Sequence, residues 1–182
     1  MTTRLTLVSH ALTAAMVAAA FPADEPVDGR RLTGRSGPWE GPTAALRGPE
    51  LRCAQTARWL GLEAESVQGL RDCDFGSWRG RTLADVQADD PEGVGRWLAD
   101  PGAAPHGGES VHDLIGRVRA WLAEQAPGRA VGVTHPAVIR AAVVHALGAP
   151  PGAFWRVDVG PLGRVELTGR DGRWNLRLGA GA

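Results

Sequence analysis

An α/β fold built on a largely parallel sheet is what this sequence predicts, and three observations predict it. Short apolar runs of strand length alternate along the chain with stretches of helical periodicity. Pro and Gly punctuate the joints between them, with Pro near helix starts and Gly just past helix ends. Ala130–Val133 is a short apolar run of the kind that suits a central strand covered on both faces.

The elements follow in order. Leu5–Val8 reads as the first strand, and residues 11–21 as an Ala-rich helix closed by Pro22. The whole N-terminal stretch imitates a secretory signal peptide, but Ser9, His10 and Thr13 interrupt its apolar region, which favours strand plus helix. Residues 22–42 are rich in Pro, Gly and charge and read as loop, with one helical turn near Arg30. Thr43–Leu46 is a short strand, Pro49–Leu60 a helix ended by Gly61, and Glu63–Val67 another short strand. Residues 70–81 read as irregular. Thr82–Ala88 and Pro91–Leu98 begin two helices, and Pro101–Gly108 is loop. Ser110–Gln125 is the clearest amphipathic helix, with Val111, Leu114, Ile115, Val118, Trp121 and Leu122 at helical spacing. Pro136–Leu147 is a helix stopped by Gly148. The tail holds strands at Phe154–Val159 and Arg164–Thr168, then an Asp171-Gly172 hairpin turn into Trp174–Leu178.

Composition narrows the function. The 182 residues suffice for one domain, taken here as residues 1–182, with a substantial core. Basic and acidic residues balance at 20 each, which removes a bulk electrostatic case for a nucleic-acid or polybasic membrane partner. No apolar run has the length of a membrane span. Every basic residue is Arg, so a catalytic Lys, a Schiff base and a P-loop are excluded; Tyr is absent too. Cys53 and Cys73 make neither a disulfide framework nor a zinc site, and are read as free thiols in a reducing, cytoplasmic setting.

Two histidines stand at strand-to-helix junctions: His10 after Leu5–Val8, His135 after Ala130–Val133. In open α/β sheets ligands bind beyond the carboxyl ends of the strands, beside helix N-termini that favour anions. Adjacent strands would bring the two imidazoles into one crevice.

Five segments then resemble the histidine phosphatase superfamily, the phosphoglycerate-mutase-like family. Leu7-Val8-Ser9-His10-Ala11 is similar to its L-V-R-H-G opening, and Leu51-Arg52-Cys53-Ala54-Gln55-Thr56-Ala57 to L-x-R-A-x-Q-T-A. Leu70–Gly80 resembles L-x-E-x-x-F-G-x-W-E-G, Gly107-Gly108-Glu109-Ser110 resembles G-G-E-S, and Val133–Arg140 resembles V-S-H-G-x-V-I-R. The resemblance implies a three-layer sandwich with a mostly parallel central sheet. It also implies a metal-independent phosphomonoesterase, with no cofactor, acting on a small phosphorylated molecule. In it His10 is the nucleophile that becomes a phosphohistidine, Asp72 the acid for the leaving oxygen, and Arg52 and His135 hold the phosphoryl oxygens. A homodimer is left open.

The departures from the pattern bear on activity. Ser9 replaces the first Arg, so one neutral hydroxyl stands where a charged fork is usual. A charge-assisted hydrogen bond contributes about 1.5–3 kcal/mol, so its loss corresponds to ~10- to 150-fold in rate. A binding-only member, or one recruited to other chemistry, is therefore the rival reading. Arg79 stands where the pattern has Glu and is either a surface residue or a replacement cation, with Arg47 a second candidate. Asp72 is one methylene shorter than the usual Glu, and Asp74 is a rival acid. Pro136 suits the first turn of a helix but removes an N–H donor. Glu109 and Ser110 are candidate substrate contacts, although capping also explains Ser110. His106 reads as a solvated loop residue, His112 and His145 as surface or packing residues. Trp59, Trp97 and Trp121 read as core, and Trp39 as a loop residue that could flank the substrate.

Overall fold

A computed structural model describes residues 1–32 and 44–178. Trp39, Thr43 and residues 33–42 of the variable loop lie outside the described residues. Six strands form one sheet: β1 (Thr3–Ser9), β2 (Ala44–Arg47), β3 (Glu65–Ser66), β4 (Gly128–Thr134), β5 (Arg164–Arg170) and β6 (Arg173–Arg177). Their spatial order is β3-β2-β4-β1-β5-β6. The β3/β2, β2/β4 and β4/β1 pairs are parallel, and the β1/β5 and β5/β6 pairs antiparallel. The sheet is therefore mostly parallel, as the sequence predicts.

The helices are α1 (Ala14–Val17), α2 (Leu51–Trp59), α3 (Leu83–Asp89), α4 (Pro91–Ala99), α5 (Val111–Ala123) and α6 (Pro136–Leu147). Strand alternation divides the core between the two faces of the sheet. Leu5 and Leu7 of β1 pack with Leu114 and Val118 of α5 and with Val138 and Ile139 of α6. Val8, Val131 and Val133 turn the other way, onto Cys53 and Ala57 of α2. Helices on both faces make three layers. Leu7 is wholly buried, so truncating it to Ala costs about 2–5 kcal/mol. None of these helices is long and apolar enough to cross a membrane.

A third cluster, Phe21, Trp78, Val86 and Val94 with Phe75 and Trp97, joins α3 and α4 to the loop before them. It explains the largest departure from the sequence expectation. The helix read over residues 11–21 is only four residues long, because the chain leaves α1 through Ala19 at positive φ to bring Phe21 into this cluster. An Ala20–Thr82 bridge and the Phe21 N–H to Arg81 carbonyl bond (2.9 Å) fix that exit. The strand expected over Phe154–Val159 is also wrong. Pro151–Arg156 is a 3-10 helix, begun by Pro151, that buries Phe154 in the core and sets the Trp155 ring 4.6 Å from Trp97. The 3-10 turn at Gly29–Arg31 and the turn at Asp171-Gly172, both residues at positive φ, match the reading.

The loop from Leu70 to Arg79 lies backbone-to-backbone against residues 106–109. Ser77 N–H donates to the His106 carbonyl (2.9 Å), and Glu109 N–H to the Asp74 carbonyl (2.7 Å). Gly76 and Gly108 permit this approach: a Cβ would fall 2.0 Å from the His106 oxygen at Gly76 and 2.0 Å from the Asp74 oxygen at Gly108. Gly76→Ala and Gly108→Ala are each expected to cost about 1–3 kcal/mol, read by thermal melting as a Tm lower by ~2–12 °C. An unchanged Tm in both would refute this account of the loop.

Candidate active site

The register Ser9↔Thr134 sets the ends of β1 and β4 side by side, and His10 N–H bonds to the Thr134 carbonyl (2.8 Å). The next residue after each strand is a histidine, so His10 and His135 meet with ring centroids 5.2 Å apart. Ala11 N–H donates to Thr56 Oγ1 (3.0 Å), which donates to the Arg52 carbonyl (2.7 Å), tying the His10 turn to α2. Arg52, in the first turn of α2, is 2% exposed. Its Nη2 is 2.6 Å from Asp72 Oδ2, and its Nε 3.3 Å from His135 Nδ1. Thus His10, Arg52, Asp72 and His135 come together at the carboxyl ends of the strands.

His10 Nδ1 lies 2.8 Å from the Ala11 carbonyl oxygen. A carbonyl only accepts, so Nδ1 carries the hydrogen and the neutral ring keeps a lone pair on Nε2. Burial and then the neighbouring His135 push the His10 pKa down to about 4, so the imidazole is neutral at neutral pH. His135 has the opposite character. Burial alone would lower its pKa, but Asp72, Cys53 and Glu50 outweigh that and hold it up at about 10. Glu50 Oε2 is 2.8 Å from His135 Nε2, and Glu50 Oε1 accepts from Asp72 N–H (2.9 Å). Burial would raise Glu50, yet its bond to His135 holds it down to about 2.

Two adjoining clefts share Pro22 and Asp72. One, about 230 Å³, is lined by Asp24, Glu50, Arg52 and Arg79 among others. The other, about 140 Å³, is lined by His10, Glu25, Pro136 and Arg140 among others. Arg52 Nη1 is buried and has no hydrogen-bond partner among the described residues; Asp24 Oδ1 is 3.8 Å away, too far for one. Glu25 Oε1 is similarly unpartnered.

The remaining candidates are placed as follows. Ser9 is fully buried, its Oγ 3.4 Å from the His10 carbonyl, and it lines neither cleft. Arg79 is exposed and lines the cleft with Arg52, whereas Arg47 donates to the Gly48 carbonyl (3.0 Å). Pro136 is the first residue of α6, beside His10. Asp74 accepts from Gly76 N–H (2.9 Å) and faces solvent. Glu109 and Ser110 line neither cleft. Ser110 caps α5 in a reciprocal pair with Asp113, and Glu109 pairs with Arg117 at 2.7 and 2.8 Å. His106 is not solvated: it is buried against Trp78 and Phe75, and its Nδ1 accepts from Gly108 N–H (3.0 Å).

Four residues escaped the sequence reading. Arg117 uses all five of its N–H donors, on Glu109 and on the Gly69, Arg71 and Asp72 carbonyls, and so braces the loop that carries Asp72. Glu50 touches both His135 and the Asp72 backbone. Glu25 and Arg140 line the His10 cleft. Only Arg140 carried a signal, its place in the last of the five motifs. Glu50, Cys53 and His135 also hold ligand atoms within 4.8 Å of one another, a set able to take a metal ion.

With this geometry in view, the family profile described as histidine phosphatase superfamily (branch 1) matches residues 29–180. The chain belongs to the histidine phosphatase superfamily. The match begins after Ser9-His10-Ala11, where this member departs most from the R-H-G pattern. It is 33% identical over 148 residues to a bifunctional protein of Mycobacterium tuberculosis, covering 76% of this chain and 40% of that one. It is 34% identical over 125 residues to the glucosyl-3-phosphoglycerate phosphatase of the same species, covering 63% and 56%. The chain thus spans about two fifths of the length of the first relative and little more than half of the second. Among solved structures, a mycobacterial glucosyl-3-phosphoglycerate phosphatase in complex with VO3 superposes with a TM-score of 0.79 at 26% identity, over 96% of this chain and 97% of that one. The α-ribazole phosphatase of Shigella flexneri superposes with a TM-score of 0.80 over 96% and 95%; at 22% identity it shows the shared fold.

Proposed function

We propose that this superfamily member is a phosphomonoesterase acting on a small phosphorylated molecule through a phosphohistidine at His10. The observation that carries this reading is a lone pair on His10 Nε2 in one cleft and the unused buried donor Arg52 Nη1 in the adjoining one, with Asp72 lining both. A buried guanidinium N–H without a partner is costly, and an anionic oxygen satisfies it. The glucosyl-3-phosphoglycerate phosphatase relative supports a phosphorylated ligand.

The chemistry follows in two steps. His10 Nε2 attacks phosphorus in line with the ester oxygen; the P–O bond breaks and Asp72 protonates the departing oxygen. Water then attacks the phosphohistidine, Asp72 takes a water proton, and inorganic phosphate leaves with His10 restored. Arg52 and the His135 imidazolium neutralise the charge spread over the phosphoryl oxygens. Glu25 Oε1 offers an acceptor to a hydroxyl elsewhere on the substrate.

A panel of phosphomonoesters, including glucosyl-3-phosphoglycerate, assayed with EDTA present, tests the proposal. Asp72→Asn is expected to lower turnover by ~10²- to 10⁴-fold, the range of a lost general acid, with Asp74→Asn near wild type. The reverse ranking would move the acid to Asp74. A second reading, a member that binds an anion without turnover, is favoured by Ser9, whose buried hydroxyl adds no charge to the crevice. Phosphate binding with no turnover on any ester would establish it.

A further inference from the structure

Three ligand atoms of different elements converge behind the crevice. Glu50 Oε2 is 2.8 Å from His135 Nε2, and Cys53 Sγ is 3.3 Å from the same nitrogen. A ring nitrogen carries at most one hydrogen. With Nε2 protonated, that one hydrogen faces two acceptors; with Nε2 bare, the thiol can donate but the Glu50 carboxylate faces a lone pair. A cation at the meeting point satisfies all three atoms at once.

The far side of the ring offers an acceptor for this. His135 Nδ1 accepts from Arg52 Nε (3.3 Å) and stands 3.3 Å from Asp72 Oδ2. A ligand on Nε2 obliges Nδ1 to give up the Arg52 bond and carry the hydrogen, and Asp72 is then the acceptor within reach. That is the carboxylate–histidine–metal arrangement that orients metal-bound imidazoles. In a tetrahedral site with zinc's bond lengths, ligand atoms lie ~3.3–3.6 Å apart. Glu50 Oε2 would retreat from His135 Nε2 by about half an ångström, Cys53 Sγ already stands near that spacing, and all three atoms lie within 4.8 Å of one another. Glu50 lines the larger cleft and gives an ion a way in, whereas Cys53 and His135 are buried.

We propose that Glu50 Oε2, Cys53 Sγ and His135 Nε2 form a three-ligand site for Zn(II) or a similar borderline divalent ion, and that filling it silences the crevice. One nitrogen, one thiolate and one carboxylate suit such an ion better than hard Mg(II) or Ca(II). Binding releases the Cys53 thiol proton and any Nε2 proton to solvent, and Glu50 binds as the carboxylate it already is. The fourth position is left to water. Silencing follows because Asp72, held as the hydrogen-bond acceptor of His135 Nδ1, no longer serves the leaving oxygen.

Metal titration of the whole chain tests the site without reference to turnover. Wild type, His10→Ala and Cys73→Ser are each expected to bind one equivalent of Zn(II) and to give a thiolate-to-cobalt charge-transfer band with Co(II). Cys53→Ser should lose the band, Glu50→Gln should weaken zinc binding at least ~10-fold, and Asp72→Asn should weaken it ~10- to 100-fold. Glu50→Gln, at a partly exposed position, guards against a Cys53 variant that fails to fold. No binding in wild type, a band that survives Cys53→Ser or vanishes in Cys73→Ser, or unchanged affinity in Glu50→Gln would each overturn the site. Given turnover on any ester, zinc should inhibit wild type reversibly and Cys53→Ser far less; equal inhibition of both would overturn the silencing.

Discussion

His10→Ala is expected to remove phosphatase turnover by ~10⁴- to 10⁶-fold, the scale seen when a catalytic nucleophile is deleted. The second imidazole, His135, cannot replace it: it has Glu50 at Nε2 and Asp72 and Arg52 at Nδ1. The same variant should hold inorganic phosphate within ~10-fold of wild type, because Arg52 and His135 remain, and 10-fold corresponds to about 1.4 kcal/mol. Rapid mixing with a radiolabelled monoester and an alkaline quench should trap label on His10 in wild type and none in the variant. Turnover within ~10-fold of wild type, or label on another residue, would remove His10 from the mechanism.

Arg117→Ala carries the largest expected structural effect. Arg117 and Glu109 side chains are 13% and 8% exposed, and the guanidinium also serves the Gly69, Arg71 and Asp72 carbonyls. Breaking a buried pair by removing one partner costs about 3–5 kcal/mol, which for a chain of this size lowers Tm by ~6–20 °C. Glu109 would keep only the 3.4 Å contact to Arg71. Arg117→Lys should restore little, since an ammonium cannot reproduce the planar fork. The double variant Arg117→Ala/Glu109→Gln should be less destabilised than the sum of the singles, because both lose the same pair. Additive losses would show that the two side chains act independently.

Much of this was legible in the residues because the signals were local. Pro136 and Gly148 bound α6 as read, Asp171-Gly172 turns the hairpin, and a histidine follows each of two neighbouring strands. The misreadings share a cause. Residues 11–21 have helical composition, yet Phe21 is drawn into an aromatic cluster whose other members come from positions 75–97. Phe154–Val159 has strand composition, yet Phe154 and Trp155 are worth more packed on α5, α6 and Trp97. His106 sits in a Gly-Pro loop and is buried because Trp78 and Phe75 close over it. In each case distant burial outweighed local preference.

By itself the sequence determined the runs that form β1, β2, β4, β5 and β6, the limits that Pro136 and Gly148 set for α6, and the two junctions that carry His10 and His135. These depend on steric and periodic preferences within a few residues. Only the tertiary structure decided what surrounds them. Cys53, Asp72 and His135 lie in three separate motif segments and Glu50 in none, and they meet because parallel pairing aligns β2, β4 and β1 at their carboxyl ends while α2 packs beneath. Likewise Glu109 and Ser110, which a motif offers to the substrate, have their hydrogen bonds taken by Arg117 and Asp113, as such groups are when burial withdraws water. Proximity between residues far apart in the chain comes from the register of strands and the closing of a core, and no short pattern encodes it.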